Sequence, residues 1–155
     1  MDKNSKLLLF RLSTLGFGIP LKDIKKVIQI VEITPLPEMP KYILGIINFH
    51  GEILPVINLS YLFNINQKEA EVSDRMIIAK TKTKKLALVA QHVEDVIDID
   101  SNDITSPEDI VYGTNFLQGV IKHDDGMILI ADTNNFLNKE ELEHLDEKIE
   151  TLKVN

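Results

Sequence analysis

Residues 76–99 read MIIAKTKTKKLALVAQHVEDVIDI, and they lie without a gap over residues 7–30, LLLFRLSTLGFGIPLKDIKKVIQI, at an offset of 69. Few residues are identical, but the apolar positions coincide. Leu7-Leu8-Leu9 falls on Met76-Ile77-Ile78, Phe17 and Ile19 fall on Leu86 and Leu88, and Ile24-x-x-Val27-Ile28-x-Ile30 falls on Val93-x-x-Val96-Ile97-x-Ile99. The chain is therefore written twice, and the question becomes what one copy folds into.

The match continues at an offset of 74. Gly45-Ile46-Ile47 falls on Gly119-Val120-Ile121, and Ile53 to Asn58 falls on Met127 to Asp132. Phe63-Asn64 ends near the place of Phe136-Leu137-Asn138. Each copy reads as hairpin, short amphipathic link, strand, loop, hairpin. The apolar runs are short, rich in Ile, Val and Leu, and bounded by turn residues, which marks strands. Val96-Ile97-Asp98-Ile99-Asp100 alternates with period two, as a strand with one wet face does. Thr81 to Lys85 predicts a solvated hairpin tip, and Asp124-Asp125-Gly126 a tight turn. Pro20, Pro35, Pro37 and Pro40 lack a backbone donor and punctuate the first copy. Gln67 to Asp74 is a polar connector between the copies.

One long helix is predicted at the end. Asn138 can cap it, with Glu141 as the capping-box partner three residues on. Leu142, Leu145, Ile149 and Leu152 form its apolar stripe, and Glu140, Glu141 and Glu143 suit the positive end of the helix dipole. Such a short stripe covers a core rather than building a coiled coil.

At 155 residues the chain has the length of one ordinary domain, with 44% hydrophobic and 26% charged residues. It has no cysteine, which excludes disulfides, iron–sulfur clusters, Cys-based zinc sites and thiol nucleophiles. The net charge of −7 has the wrong sign for a nucleic-acid binder. The lysines between Lys80 and Lys85 form the one basic patch and lack interleaved aromatics; on a hairpin edge they also block edge-to-edge pairing. The apolar run from Leu7 to Phe10 is too short for a signal peptide or a membrane helix, so the expected location is the cytoplasm, without direct membrane insertion. Asn58-Leu59-Ser60 matches a glycosylation sequon inside a strand-like run and is read as structural.

Catalytic and metal constellations are not found. His50, His92, His123 and His144 make no helical metal pair. Gly16-Phe17-Gly18 lacks the third glycine of a dinucleotide fingerprint. Asp98-x-Asp100-x-Asn102 opens like a calcium loop, but the sixth position is Asp103 instead of Gly. A metal-dependent module or enzyme using residues 98–103 is thus a remote alternative. No cofactor, metal or catalytic residue is expected. An acidic, mostly β module of this kind points to binding other proteins.

Residues 42–59, YILGIINFHGEILPVINL, resemble the signature of the CheW family of bacterial chemotaxis adaptors, roughly G-V-x-N-x-R-G-x-[IV]-[IVL]-P-[IV]-[IV]-D-L. The order of the rest agrees. Leu9-Phe10-x-Leu12 and Gly18 to Leu21 resemble the family's opening hairpin, Ile24 to Ile28 sits on its V-x-E-V-I, Val93 to Val96 on its V-x-x-V, and Gly126 to Asp132 on its closing hairpin. The resemblance spans about residues 6–140.

It implies a mostly β fold of two intertwined five-stranded barrel subdomains with short helices and a C-terminal α-helix at 138–152. It implies that residues of about 16–54 build one barrel and that about 6–15 and 55–137 build the other. It implies a non-enzymatic scaffold with two partners, the regulatory domain of a CheA-type histidine kinase and the cytoplasmic tip of a methyl-accepting chemoreceptor. The protein would be a monomer when isolated and would join receptor arrays at the inner face of the membrane. By position, the receptor groove would be formed by Ile24, Lys26, Val27, His50, Val93 and Val96, and the kinase contact by Leu36, Gly45, Gly51 and Ile53.

The departures from the pattern are as informative. The family's Glu in V-x-E-V-I is Lys26 here, and its Arg before the signature Gly is His50. An imidazole cannot replace the fixed fork of donors of a guanidinium. The family's D-L-R is Asn58-Leu59-Ser60, and the Asp and Gly of a downstream V-D-x-V are Gln91 and His92. These changes leave two readings: an adaptor matched to its own receptors, or a CheW-like adaptor in another two-component pathway, such as surface motility or second-messenger control.

Overall fold

The structure is a computed structural model and describes residues 4–106, 115–124 and 126–154. Ten strands form two five-stranded sheets. They are β1 (Asn4–Leu12), β2 (Leu15–Pro20), β3 (Ile24–Gln29), β4 (Ile43–Phe49), β5 (Glu52–Asn58), β6 (Arg75–Lys80), β7 (Lys85–Ala90), β8 (Val93–Asp100), β9 (Leu117–His123) and β10 (Gly126–Ala131). A single-turn helix α1 (Leu59–Leu62) follows β5, and α2 (Lys139–Val154) follows β10. One sheet has the order β8-β1-β2-β10-β9 and the other β3-β6-β7-β5-β4.

The duplication holds down to the register. Leu8 pairs with Ile19 and Ile77 with Leu88, both shifted by 69. Leu8 also pairs with Val96, and Ile77 with Val27. Glu52 closes the β4–β5 hairpin on Phe49, and Gly126 closes the β9–β10 hairpin on His123, shifted by 74. Asp125, in the second of these turns, lies outside the described residues.

The copies have exchanged strands. β3 leaves the β1–β2 hairpin of its own copy and pairs with β6; β8 leaves β7 and pairs with β1. One sheet is therefore built from residues 24–90, and the other from 4–20 and 93–131. This corrects the expected boundary at 16–54, since β2 stays with β1, and β6 and β7 join β3 to β5. Local periodicity cannot distinguish the two pairings, because β3 and β8 offer the same apolar pattern to β1 or β6.

Continuous apolar runs form where a strand is covered on both faces. In β1, Leu8, Phe10 and Leu12 point into the layer between the sheets, while Leu7 and Leu9 join a cluster inside their own sheet with Ile99, Ile121, Ile128 and Ile130. In β6, Ile77 and Ala79 face the shared layer, and Met76 and Ile78 face a second internal cluster with Leu54, Val56 and Val89. Each such Leu, Ile, Val, Phe or Met side chain, fully buried, contributes about 1.5–3 kcal/mol of transfer free energy. A large shared core thus lies between two smaller ones, one in each sheet. Each sheet curls over its own cluster. Among the described residues the two outer strands of each sheet do not pair with each other; the straps that follow β3 and β8 reach β4 and β9 by isolated bridges, Thr34 to Ile46 and Thr105 to Val120.

α2 starts as its sequence predicts. The Asn138 N–H donates to Glu141 Oε1 at 2.9 Å, and the Glu141 N–H donates to Asn138 Oδ1 at 2.7 Å. Leu145 and Ile149 are buried in the shared layer, Leu142 packs against it, and Leu152 remains exposed. The Lys84 ammonium pairs with Asp146, so the lysine-rich tip also holds this helix in place. Among the described residues, no helix is long and apolar enough to cross a membrane.

Candidate protein-binding site

β3 and β8 terminate their sheets, so each has one neighbour and one wet side. Lys25, Lys26 and Val27 are exposed on β3, and Glu94, Asp95 and Val96 are exposed on β8. Val27 is 38% and Val96 44% exposed, more than a strand valine needs for folding. The two valines are equivalents in the repeat and stand opposite Ile77 and Leu8. Their flanks are not alike: two ammonium groups precede Val27, and two carboxylates precede Val96. Glu94 is held by Arg11 of β1, whereas Lys26 forms no ion pair among the described residues. The fold thus presents the same backbone surface twice, with opposite charge.

Of the other groove candidates, Ile24 and Val93 are half-buried against the shared layer, so their first role is packing. His50 is exposed at the β4–β5 turn. It has φ +52 and Gly51 has φ +84, the two left-handed positions of a tight hairpin turn. The Asn48 side chain braces this turn by accepting the Gly51 N–H at 2.9 Å. The His50 ring lies edge-on to Phe49, with centroids 4.4 Å apart.

The four candidates for a kinase contact separate by burial. Gly51 is exposed, Ile53 is half-buried, and Leu36 lies in the shared layer. Gly45 is buried with a structural task. Its backbone, at φ +148, lies under the bridge from Thr34, and a Cβ there would come 2.0 Å from the Thr34 carbonyl oxygen. Its counterpart Gly119 meets the second strap, where a Cβ would fall 2.4 Å from the Ile104 side chain.

The departures at 58–60 form a closed neutral network. Buried Asn58 Oδ1 accepts the Ser60 N–H at 3.0 Å and the Ser60 hydroxyl at 2.8 Å, while Asn58 Nδ2 donates to the Lys68 carbonyl at 2.8 Å. The sequon asparagine therefore pins the connector between the copies. In the acidic loop, Asp98 pairs with Lys6 at 2.6 Å, and Asp100 Oδ1 accepts the Asn102 N–H. Among the described residues no cluster of three His, Cys, Asp or Glu is placed to hold a metal. Sequence reasoning missed the charge inversion between β3 and β8. The signal was present in the alignment at offset 69, where Lys25-Lys26 lies over Glu94-Asp95.

Comparison with known proteins agrees with this architecture. The CheW-like domain family model matches residues 6–141. The chain is 25% identical over 150 residues to the chemotaxis protein CheW of Treponema pallidum, covering 93% of this chain and 88% of that one. It is 26% identical over 140 residues to the chemotaxis protein CheW of Rhizobium meliloti, covering 89% and 90%. Among solved structures, the scaffolding protein TtCheW of Thermoanaerobacter tengcongensis superposes with a TM-score of 0.81 at 34% identity, over 88% of this chain and 94% of that one.

Proposed function

The chain belongs to the CheW-like domain family, and from that premise we propose that it joins the regulatory domain of a CheA-type histidine kinase to the cytoplasmic tip of a chemoreceptor. As a class, the protein is a non-catalytic chemotaxis scaffold, and coupling receptors to the kinase is the known role of CheW adaptors. Its place in the cell would be beside the receptor arrays at the inner face of the membrane.

One observation carries this reading: each of the two equivalent edge strands displays an exposed valine preceded by two charges, positive on β3 and negative on β8. A receptor tip seated along both strands would meet ammonium groups on one and carboxylates on the other, which sets its orientation. Like charges placed against each other at an interface select against the wrong partner. A groove including Ile24, Lys26, Val27, His50, Val93 and Val96 would seat the helical receptor tip, with valines as anchors and charges fixing register. Leu36, Gly45, Gly51 and Ile53 would belong to the kinase side, with Gly45 acting through the strap it admits. To transmit a signal, the adaptor must contact its partners differently in two states.

Titration calorimetry with the regulatory domain of the cognate kinase tests the class of partner. Affinity of about 10 μM or better is expected. Silence at about 100 μM would sink the reading. The second reading, a CheW-like adaptor in another two-component pathway, is favoured by Lys26 and His50 standing where the family has Glu and Arg. A binding kinase together with a non-binding chemoreceptor tip would select it.

A further inference from the structure

The repeat covers one apolar groove with α2 and leaves its twin open. On the covered side, Tyr42, Ile53, Leu86, Phe136 and Leu137 pack in or against the same layer as Leu142, Leu145 and Ile149 of α2. Where Leu86, Leu137 and Leu142 meet, only about 10 Å3 of space remains. Shifting Tyr42 and Ile53 forward by 74, Leu86 back by 69, and Phe136 and Leu137 back by 74 gives Phe116, Met127, Phe17, Leu62 and Phe63. Those residues, with Leu15, Ile65 and Leu129, line a cavity of about 620 Å3 that has no charged side chain in its wall among the described residues. Phe63 stacks on Phe17 at 4.8 Å and meets Phe116 edge-on at 5.9 Å, which fixes the floor. Leu15 and Met127 on the rim are 44% and 45% exposed.

The chain itself shows why the twin is open. Asn138 begins α2, whereas its counterpart Asn64 turns away with φ +56, followed by Asn66 at +43. Only ten residues separate Asn64 from β6, too few to lay a helix of four turns over the groove and return.

We propose that this second groove receives an amphipathic helix of a partner protein, seated as α2 is seated on the first. A helix fits here because this fold already buries a helical stripe at the equivalent place. The stripe from Leu142 to Ile149 spans about 10 Å at 1.5 Å per residue. One difference specifies the guest. Lys84, which pairs with Asp146 of α2, is replaced in the open groove by Leu15. A second copy's α2 would set its Asp146 carboxylate beside Leu15, without the lysine it pairs with on the first groove. The guest therefore carries Leu- or Ile-sized residues at three-to-four spacing and an uncharged residue at that point. This groove shares no residue with Ile24, Lys26, Val27, His50, Val93 or Val96, so it adds a contact to the adaptor without depending on them.

The probe is a fluorescein-labelled peptide of residues 139–152 carrying Asp146→Leu, held helical by a covalent link between positions 143 and 147 on its polar face. Anisotropy with the full chain should show saturable binding at about 0.1 mM or better. Leu15→Glu and Met127→Glu should each weaken it at least about tenfold while leaving the melting temperature in place, and the unsubstituted peptide should bind more weakly. The chain's own α2 competes intramolecularly for the first groove, so the peptide is not expected to displace it. No saturation at about 1 mM, or equal binding to Leu15→Glu, overturns the proposal. So does self-association of the chain that Leu15→Glu abolishes, which would make the guest a second copy. Binding seen only after residues 107–114 are replaced by glycine and serine would assign the groove to the same chain and likewise overturn it.

Discussion

Gly45 lies under Thr34: a Cβ at residue 45 would stand 2.0 Å from the Thr34 carbonyl oxygen, in a backbone conformation that L side chains rarely adopt. The same two residues face the hydrogen-bonded bridge in which the Thr34 N–H donates to the Ile46 carbonyl at 2.9 Å and the Ile46 N–H donates to the Thr34 carbonyl at 2.8 Å. Gly45→Ala should therefore cost about 3–5 kcal/mol, because backbone cannot move aside as a side chain can. Gly51→Ala meets open space and bears only its positive φ, for about 1 kcal/mol. Urea melts of the two variants decide the matter, and similar losses would contradict the strap geometry.

Asn58 both accepts and donates, and only an amide does both here. Asn58→Asp keeps the acceptor for Ser60 but sets a carboxylate against the Lys68 carbonyl. A loss of about 1–3 kcal/mol is expected at neutral pH. The loss should shrink as the carboxyl protonates and regains a donor. A variant equal in stability to the parent at pH 7 would show that the connector needs no pin.

Lys26→Glu with His50→Arg restores the pair usual in the family. Both positions are exposed, so stability should change by less than about 0.5 kcal/mol. Affinity for a peptide of the chemoreceptor tip should change by about tenfold or more. If stability and affinity fall together, the two residues are structural and the groove assignment fails.

Burial holds the Asp23 carboxyl above the usual carboxylate range; Lys22 opposes this, Asp132 adds to it and Lys80 opposes it. A folded pKa above the unfolded one means the native state holds the proton more tightly. Ionisation then costs stability as pH rises through the gap, and the cost persists above it. Asp23→Asn should melt higher than the parent at pH 7, with the difference narrowing as pH falls toward about 4. A difference independent of pH would assign the effect to packing instead.

The duplication was legible in residues 7–30 and 76–99 because apolar spacing records which face each residue turns, and the offset of 69 survives as strand register. The cap of α2 was legible because Asn138 and Glu141 act within one turn. The exchange of β3 and β8 was not legible, since Val27 and Val96 present the same shape to either hairpin. Leu36 and Gly45 could be placed by resemblance, but their burial depends on a strap that returns from Thr34 over β4, a contact that no local pattern encodes.

The exchange has a consequence for what a half of this molecule is. Cut between residues 68 and 69, the chain would give one piece holding two strands of the first sheet and three of the second, and another holding the complement. Neither fragment owns a complete sheet, yet together they own both. The native state is then a matter of mutual completion: each piece is the missing template of the other, and neither could be inherited, expressed or degraded as a working unit alone.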